Sequence, residues 1–278
     1  MNHRIISRID IKGPNLVKGI HLEGLRVLGK PDEFAELYYN EGVDELMYQD
    51  VVASLYDRNS LEKIIEKTAE RIFIPMTVGG GIRTLKDIHR ILRSGADKVS
   101  INTAAIKNPE FIKEATDYYG SSTIIISMEV VKQPDNSFLL FTDNGREHTG
   151  INLEYWLDEV QKLGAGEIVI TSVDKDGTMS GFDKELIIKA KNVDIPIILH
   201  GGFGKLADLE FLSNSRYSGV AIASSFHYKY LSSIKNSDNN FSEGNIDFIT
   251  KQNSTKKGFS ISEVKNFLKD KGIDVRNN

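Results

Sequence analysis

The chain has 278 residues, with 35 lysines and arginines against 39 aspartates and glutamates, a net charge of -4 and no cysteine. Its length suits one α/β barrel or two ordinary domains, and 40% hydrophobic with 27% charged residues describes a soluble globular chain. The near balance of charge gives no electrostatic reason to bind nucleic acid or a membrane, and the missing cysteines exclude disulfides, thiolate metal sites and a cysteine nucleophile.

From the N-terminus, Met1 to Asp10 lacks an apolar core of signal-peptide length, and no later run approaches a membrane span, so the expected location is the cytoplasm. Short apolar runs ending in polar residues follow at Arg4 to Asp10, Glu45 to Asp50, Phe73 to Val78, Lys98 to Ile101, Thr123 to Glu129, Glu167 to Thr171, Pro196 to His200 and Gly219 to Ala223. These predict eight strands. Between them the spacing is helical: Asn108-Pro109 opens a helix carrying Phe111, Ile112 and Ala115 that stops at Gly120, and Leu153, Trp156, Leu157, Val160 and Leu163 form one stripe. Strand and helix therefore alternate, which implies parallel strands with right-handed crossovers. Eight such units fit a closed (β/α)8 TIM barrel, read as a single domain over 1–278.

Two segments depart from the pattern. Gln133 to Gly150 holds Phe138 to Thr142 followed by Asp143-Asn144-Gly145, a hairpin signal after strand five. Residues 232–258 read as a polar, irregular insertion with at most a short element at Ile246 to Ile249. A last helix over 260–271 opens on a Ser260–Glu263 capping box, buries Ile261, Val264, Phe267 and Leu268, and ends at Gly272.

The chain also repeats itself. Ile74-Pro75 with Gly80-Gly81 recurs 121 residues later as Ile195-Pro196 with Gly201-Gly202, and Val99 to Thr103 recurs at the same offset as Val220 to Ser224. Glu45 and Glu167, and Asp10 and Glu129, pair at nearly that offset. Two half-barrels, about 1–120 and 121–230, follow from this agreement.

In such a barrel the chemistry sits at the C-terminal ends of the strands. Asp10 and Glu129 end pseudo-symmetric strands and would face each other there as an acid and a base. An isolated carboxylate would more simply cap a helix; a symmetric pair favours catalysis. Gly79-Gly80-Gly81 with Asn102-Thr103, and Asp176-Gly177 with Gly201-Gly202 and Ala223-Ser224, form two candidate phosphate cradles. Tight turns need glycine anyway, so the duplication carries the reading. At the opposite end Arg4, Glu45, Lys98 and Glu167 alternate in sign, a pattern that on its own describes a stabilising ring of ion pairs.

The segments Arg4-Ile5-Ile6 to Asp10, Val17-Lys18-Gly19, Val78-Gly79-Gly80-Gly81-Ile82-Arg83, Gly95 to Asn102, Asp174 to Thr178 and Lys271 to Arg276 resemble the cyclase (synthase) subunit of imidazole glycerol phosphate synthase. The likeness covers nearly the whole chain apart from the insertion. It implies a glutaminase subunit docked on the barrel floor as partner, with ammonia passing through the barrel to a phosphoribulosyl aminoimidazole carboxamide nucleotide. The products would be imidazole glycerol phosphate and an aminoimidazole carboxamide ribotide. Position by position, the resemblance makes Asp10 catalytic and Arg4, Glu45, Lys98 and Glu167 an ammonia gate. It makes Lys18 a flexible first-loop lysine and puts Asp50, Thr171 and Ser172 at active-site strand ends. Gly81, Asn102, Thr103, Asp176, Gly177, Gly202, Ala223 and Ser224 become phosphate ligands.

Four positions depart from that pattern. Glu129 stands where the family has an aspartate, Arg8 and His200 replace small residues, and Gln49 replaces an apolar one. If Arg8 contacts Glu129, it lowers the glutamate's pKa, the wrong direction for a general acid. This motivates an alternative acceptor, a surface-polysaccharide sugar receiving an acetamidino group with the help of a glutaminase-like partner. A non-catalytic scaffold for the glutaminase and a sugar-phosphate isomerase are further readings; the isomerase leaves the charged floor unexplained. The six histidines, at 3, 21, 89, 148, 200 and 227, show no metal-ligand spacing, so neither a metal nor a cofactor is expected. Of these, His200 is the one expected in the site.

Overall fold

The computed structural model describes residues 2–53, 61–191, 193–234 and 258–276, without the side chains of 214, 233 and 234. In the first half, β1 (Arg4–Lys12) leads through β2 (Asn15–Ile20) and β3 (Glu23–Gly29) to α1 (Pro31–Asn40) and β4 (Glu45–Asp50). Next come α2 (Glu62–Ala69), β5 (Met76–Gly79), α3 (Leu85–Arg93), β6 (Lys98–Ile101), α4 (Thr103–Lys107) and α5 (Glu110–Tyr119). The second half repeats the plan with β7 (Ile124–Lys132), β8 (Phe138–Thr142), β9 (Glu147–Asn152), α6 (Leu153–Lys162), β10 (Glu167–Ser172), α7 (Lys184–Lys189) and β11 (Ile197–His200). A 3-10 helix (Leu206–Asn214), β12 (Tyr217–Ile222), α8 (Ser224–Ile234) and α9 (Ile261–Asp270) complete the described chain.

Strands β1, β4, β5, β6, β7, β10, β11 and β12 pair in parallel in that order, and β12 pairs back onto β1 through Arg4 and Gly219. This is the closed (β/α)8 barrel the alternation implies. Side-chain parity then makes two cores. Outside the strands, Ile5, Ile9, Leu46, Tyr48, Ile168 and Ile170 pack with helical residues such as Phe34, Trp156 and Leu186. Inside, Ile6, Met47, Ile125, Val169, Ile198 and Ala221 form a separate apolar collar around the axis.

Both halves send a β-hairpin upward from their first strand. The second, β8–β9, is the expected one, turning on Asp143, Asn144 and Gly145, all with positive φ. The first corrects the sequence reading: Lys18 lies not on an open loop but on β2, which pairs antiparallel with β1 through Asp10 and Val17. Its tip, His21 and Leu22, holds φ of 55 and 61 without glycine. Hydrogen bonds supply the compensation, from the His21 N–H to the Asp176 carbonyl (2.9 Å) and between His21 Nδ1 and the Val173 carbonyl (3.1 Å).

Other boundaries shift for identifiable reasons. The third barrel strand starts at Met76 rather than Phe73 because Pro75 has no N–H for the ladder, and Phe73 is 81% exposed. Ser232 to Ile234 still belong to α8, so the expected insertion starts later than read. The remainder, including Ile246 to Ile249, lies outside the described residues. The Ser260–Glu263 capping box forms as expected. No helix among the described residues is long and apolar enough to cross a membrane.

Candidate active site

At the N-terminal ends of the strands, Arg4, Glu45, Lys98 and Glu167 join into one ring. Arg4 bonds Glu45 (2.8 Å) and Glu167, and Lys98 lies 3.6 Å from Glu45 and 3.3 Å from Glu167. Arg4 also donates to Ser218 Oγ at 2.7 Å. Each of the four is the first residue of its strand, which is why inward parity gathers them at one level. Burial alone would lower the Arg4 pKa; the two glutamates overcome that and raise it.

At the other end, the inward positions of β1, β2 and the turn after β10 build a buried chain of charges. Arg8 Nε donates to Asp10 Oδ1 (2.8 Å) and Nη1 to Thr171 Oγ1 (3.1 Å). Lys18 Nζ bridges Asp10 Oδ2 (3.3 Å) and Asp176 Oδ2 (2.7 Å), and His200 Nε2 lies 3.2 Å from Asp176 Oδ1. Burial by itself would raise Asp10 and Asp176, but Arg8 and Lys18 beside the first, and Lys18 beside the second with Arg8 further off, hold both below the usual carboxylate range. The same carboxylates raise Lys18 above its ordinary value despite its burial.

Glu129 lives in a different field. Among the described residues, its one hydrogen bond is from the Gly145 N–H to Oε2 (2.8 Å), at the tip of the β8–β9 hairpin. Burial pushes its pKa up to about 7, and the nearby Arg8 charge offsets only part of that. Arg8 thus acts in the anticipated direction, but its guanidinium is committed to Asp10 and Thr171 rather than in contact with Glu129, so burial sets the net shift. Two carboxyls with opposite tendencies result, one ionised and one able to hold a proton near neutrality.

Two clefts flank this chain. The larger, about 690 Å³, is lined by Asp50, Gly81, Asn102, Thr103 and Glu129 together with Gln49, Arg83, Ser100, Lys107 and Asn144. The smaller, about 250 Å³, is lined by Asp176, Gly177, His200, Gly202, Ala223 and Ser224. Ser100 Oγ and Asn102 Oδ1 in the first, and Ser224 Oγ in the second, are buried without a hydrogen-bond partner. The two serine hydroxyls are free to donate to a ligand's oxygens, and Asn102 Oδ1 to accept from a hydroxyl or N–H on it. Gly80, at φ 106, has no room for a side chain against the Asp50 backbone, and Gly177, at φ 72, seats the β2–β3 hairpin against the Gly19 carbonyl. Asp50 accepts from the Val52 and Ala53 N–H groups (3.0 and 2.9 Å), and burial raises its pKa.

Thr171 faces the axis, whereas Ser172 alternates to the opposite face of β10 and lines neither cleft. The sequence reading missed Arg83, Ser100, Lys107 and Asn144. Strand parity pointed Ser100 inward, and the Gly-Gly-Gly-Ile-Arg segment ended on Arg83, so both signals were present. Among the described residues, no group of three or more His, Asp or Glu side chains is arranged to hold a metal ion.

Comparison with known proteins agrees with this architecture. Residues 4–232 match the family model described as histidine biosynthesis protein. An imidazole glycerol phosphate synthase subunit HisF from Legionella pneumophila is 53% identical over 208 residues, 74% of this chain and 98% of that protein. HisF subunits from Natranaerobius thermophilus and Sulfurisphaera tokodaii are 38% and 41% identical, each alignment spanning 98% of both chains. With the barrel, the doubled clefts and the charged ring in place, the chain belongs to the histidine biosynthesis protein family, among relatives named imidazole glycerol phosphate synthase subunit HisF.

Proposed function

We propose that this chain is the cyclase subunit of imidazole glycerol phosphate synthase, using ammonia produced by a glutaminase partner docked at the ring-bearing end. One observation carries the chemistry: Asp10 is held ionised while Glu129, with a pKa near 7, is free of any direct ion pair among the described residues. That difference assigns Asp10 as base, taking a proton from the nitrogen as ammonia adds to the substrate carbonyl, and Glu129 as acid, giving one to the carbonyl oxygen, which leaves as water. The two clefts, each with a buried serine hydroxyl that has no partner, suit a substrate carrying a phosphate at either end. The ring and the collar above it supply a route on the axis, and the soluble partner and substrate make the cytoplasm the expected location.

The test is turnover of the nucleotide with ammonium salt and no glutaminase. Wild-type chain is expected to convert it, with Asp10→Asn slower by about 10²-fold or more; conversion unaffected by that change removes the proposed base. A second reading has its own observation, since Arg8 and Lys18 both occupy Asp10. A paralogue that aminates a sugar precursor would bind its glutaminase yet leave the nucleotide untouched in the same assay.

A further inference from the structure

The two clefts are equivalent by repeat but not by chemistry. Gly79-Gly80-Gly81 in the first half corresponds to His200-Gly201-Gly202 in the second. The second cleft thus acquires an imidazole where the first has none, and His200 is only 2% exposed. Its Nδ1 is 2.9 Å from the Ala221 carbonyl, which only accepts, so Nδ1 carries the hydrogen. The other nitrogen, Nε2, is at ion-pair distance from Asp176 Oδ1 but not aligned in a hydrogen bond. A neutral ring with this tautomer turns its lone pair toward a carboxylate; an imidazolium would donate to it.

We propose that His200 is a proton-coupled positioning residue of the second cleft, taking a proton from solvent onto Nε2 when a phosphate-like dianion settles beside Gly177, Gly202 and Ser224. The inference rests on that cleft being an anion site, as argued above. Burial and the Arg8 cation on β1 hold His200 neutral in the empty cleft, with Lys18 on β2 acting the same way and Asp176 opposing them. His227 on α8 faces the same network, and its burial lowers its pKa to about 3 and leaves it uncharged near neutrality. A dianion beside Ser224 reverses the local balance. The protonated ring then donates to Asp176, which releases part of that carboxylate's hold on Lys18 and frees the lysine to face the ligand. Linkage requires the converse: whatever protonates His200 tightens the anion.

Sulfate is the probe, because its own charge is fixed across the range in which histidine titrates. Its affinity is read from the Gly177, Gly202 and Ser224 amide signals at constant ionic strength, between about pH 5.5 and about 8.5. Working in Glu129→Gln removes the buried carboxyl whose pKa is raised to about 7. The expected result is an affinity about tenfold higher at the acid end, with the His200 ring signals reporting a pKa raised by sulfate. Adding His200→Gln is expected to abolish the pH dependence while binding persists at its alkaline level. Sulfate that binds with equal affinity throughout, leaving the His200 ring unmoved, overturns the coupling and keeps the anion cleft; amides that never respond to sulfate overturn both.

Discussion

Asp10 shares its oxygens with Arg8 and Lys18, whereas Glu129 receives one backbone N–H, and this difference in neighbours separates the two acids. It has a thermodynamic signature. Glu129 rises from 4.5 to about 7, so the folded chain binds more protons than the unfolded one within that window. Stability contributed by the neutral form is complete below the unfolded pKa and is lost as pH rises through the folded one, a fall of about 3 kcal/mol. Glu129→Gln is expected to remove that loss, so that its melting temperature exceeds the wild type's at pH 8 by more than at pH 5, as thermal unfolding would reveal. The same variant should lower turnover by about 10²–10⁴-fold. At this scale residue types and parity were legible from the sequence, but the state of each acid was not. Which inward cation reaches which carboxylate depends on side-chain length across the barrel, and Arg8 reaches Asp10 and Thr171 rather than Glu129.

The two hairpins meet above the site. Asn144 Nδ2 donates to the Leu22 carbonyl at 2.7 Å, and the Gly145 N–H beside it holds Glu129. Asn144→Ala loses that bond and places alanine at φ 62, together a cost of about 2 kcal/mol. Hydrogen exchange should accelerate first at the β2 and β3 amides, with the barrel strands unchanged; uniform acceleration would refute the hairpins as a unit. Asp143-Asn144-Gly145 announced its hairpin because those residue types tolerate left-handed backbone. The tip at His21-Leu22 gave no such signal, because its conformation is enforced from across the mouth by Asp176 and Val173.

Over the whole molecule, repeat and closure impose one another: each half contributes a strand that leaves the barrel as a hairpin at its carboxylate, Asp10 opposite Val17 and Glu129 opposite Phe141. The alternation of elements made the barrel readable, since it depends on periodicity rather than on side-chain detail. At the floor, Arg4→Ala would strip Glu45 and Glu167 of their guanidinium and leave Lys98 between them. Loss of one partner in this part-buried ring, with Lys98 still present, should cost about 1–3 kcal/mol in urea unfolding. If the ring gates ammonia, the variant also alters glutamine-driven turnover more than turnover with added ammonium; equal changes would reduce the ring to a structural role.

The collar residues Ile6, Met47, Ile125, Val169, Ile198 and Ala221 lie above that ring and carry no hydrogen-bonding group, while Thr77, paired with Met47, adds one hydroxyl at that level. An ammonium ion climbing the axis would surrender most of its hydration there with little to replace it, whereas the uncharged molecule loses far less. If ammonia takes the route proposed above, the barrel discriminates by protonation state, and the nitrogen that reaches Glu129 arrives already stripped of its extra proton.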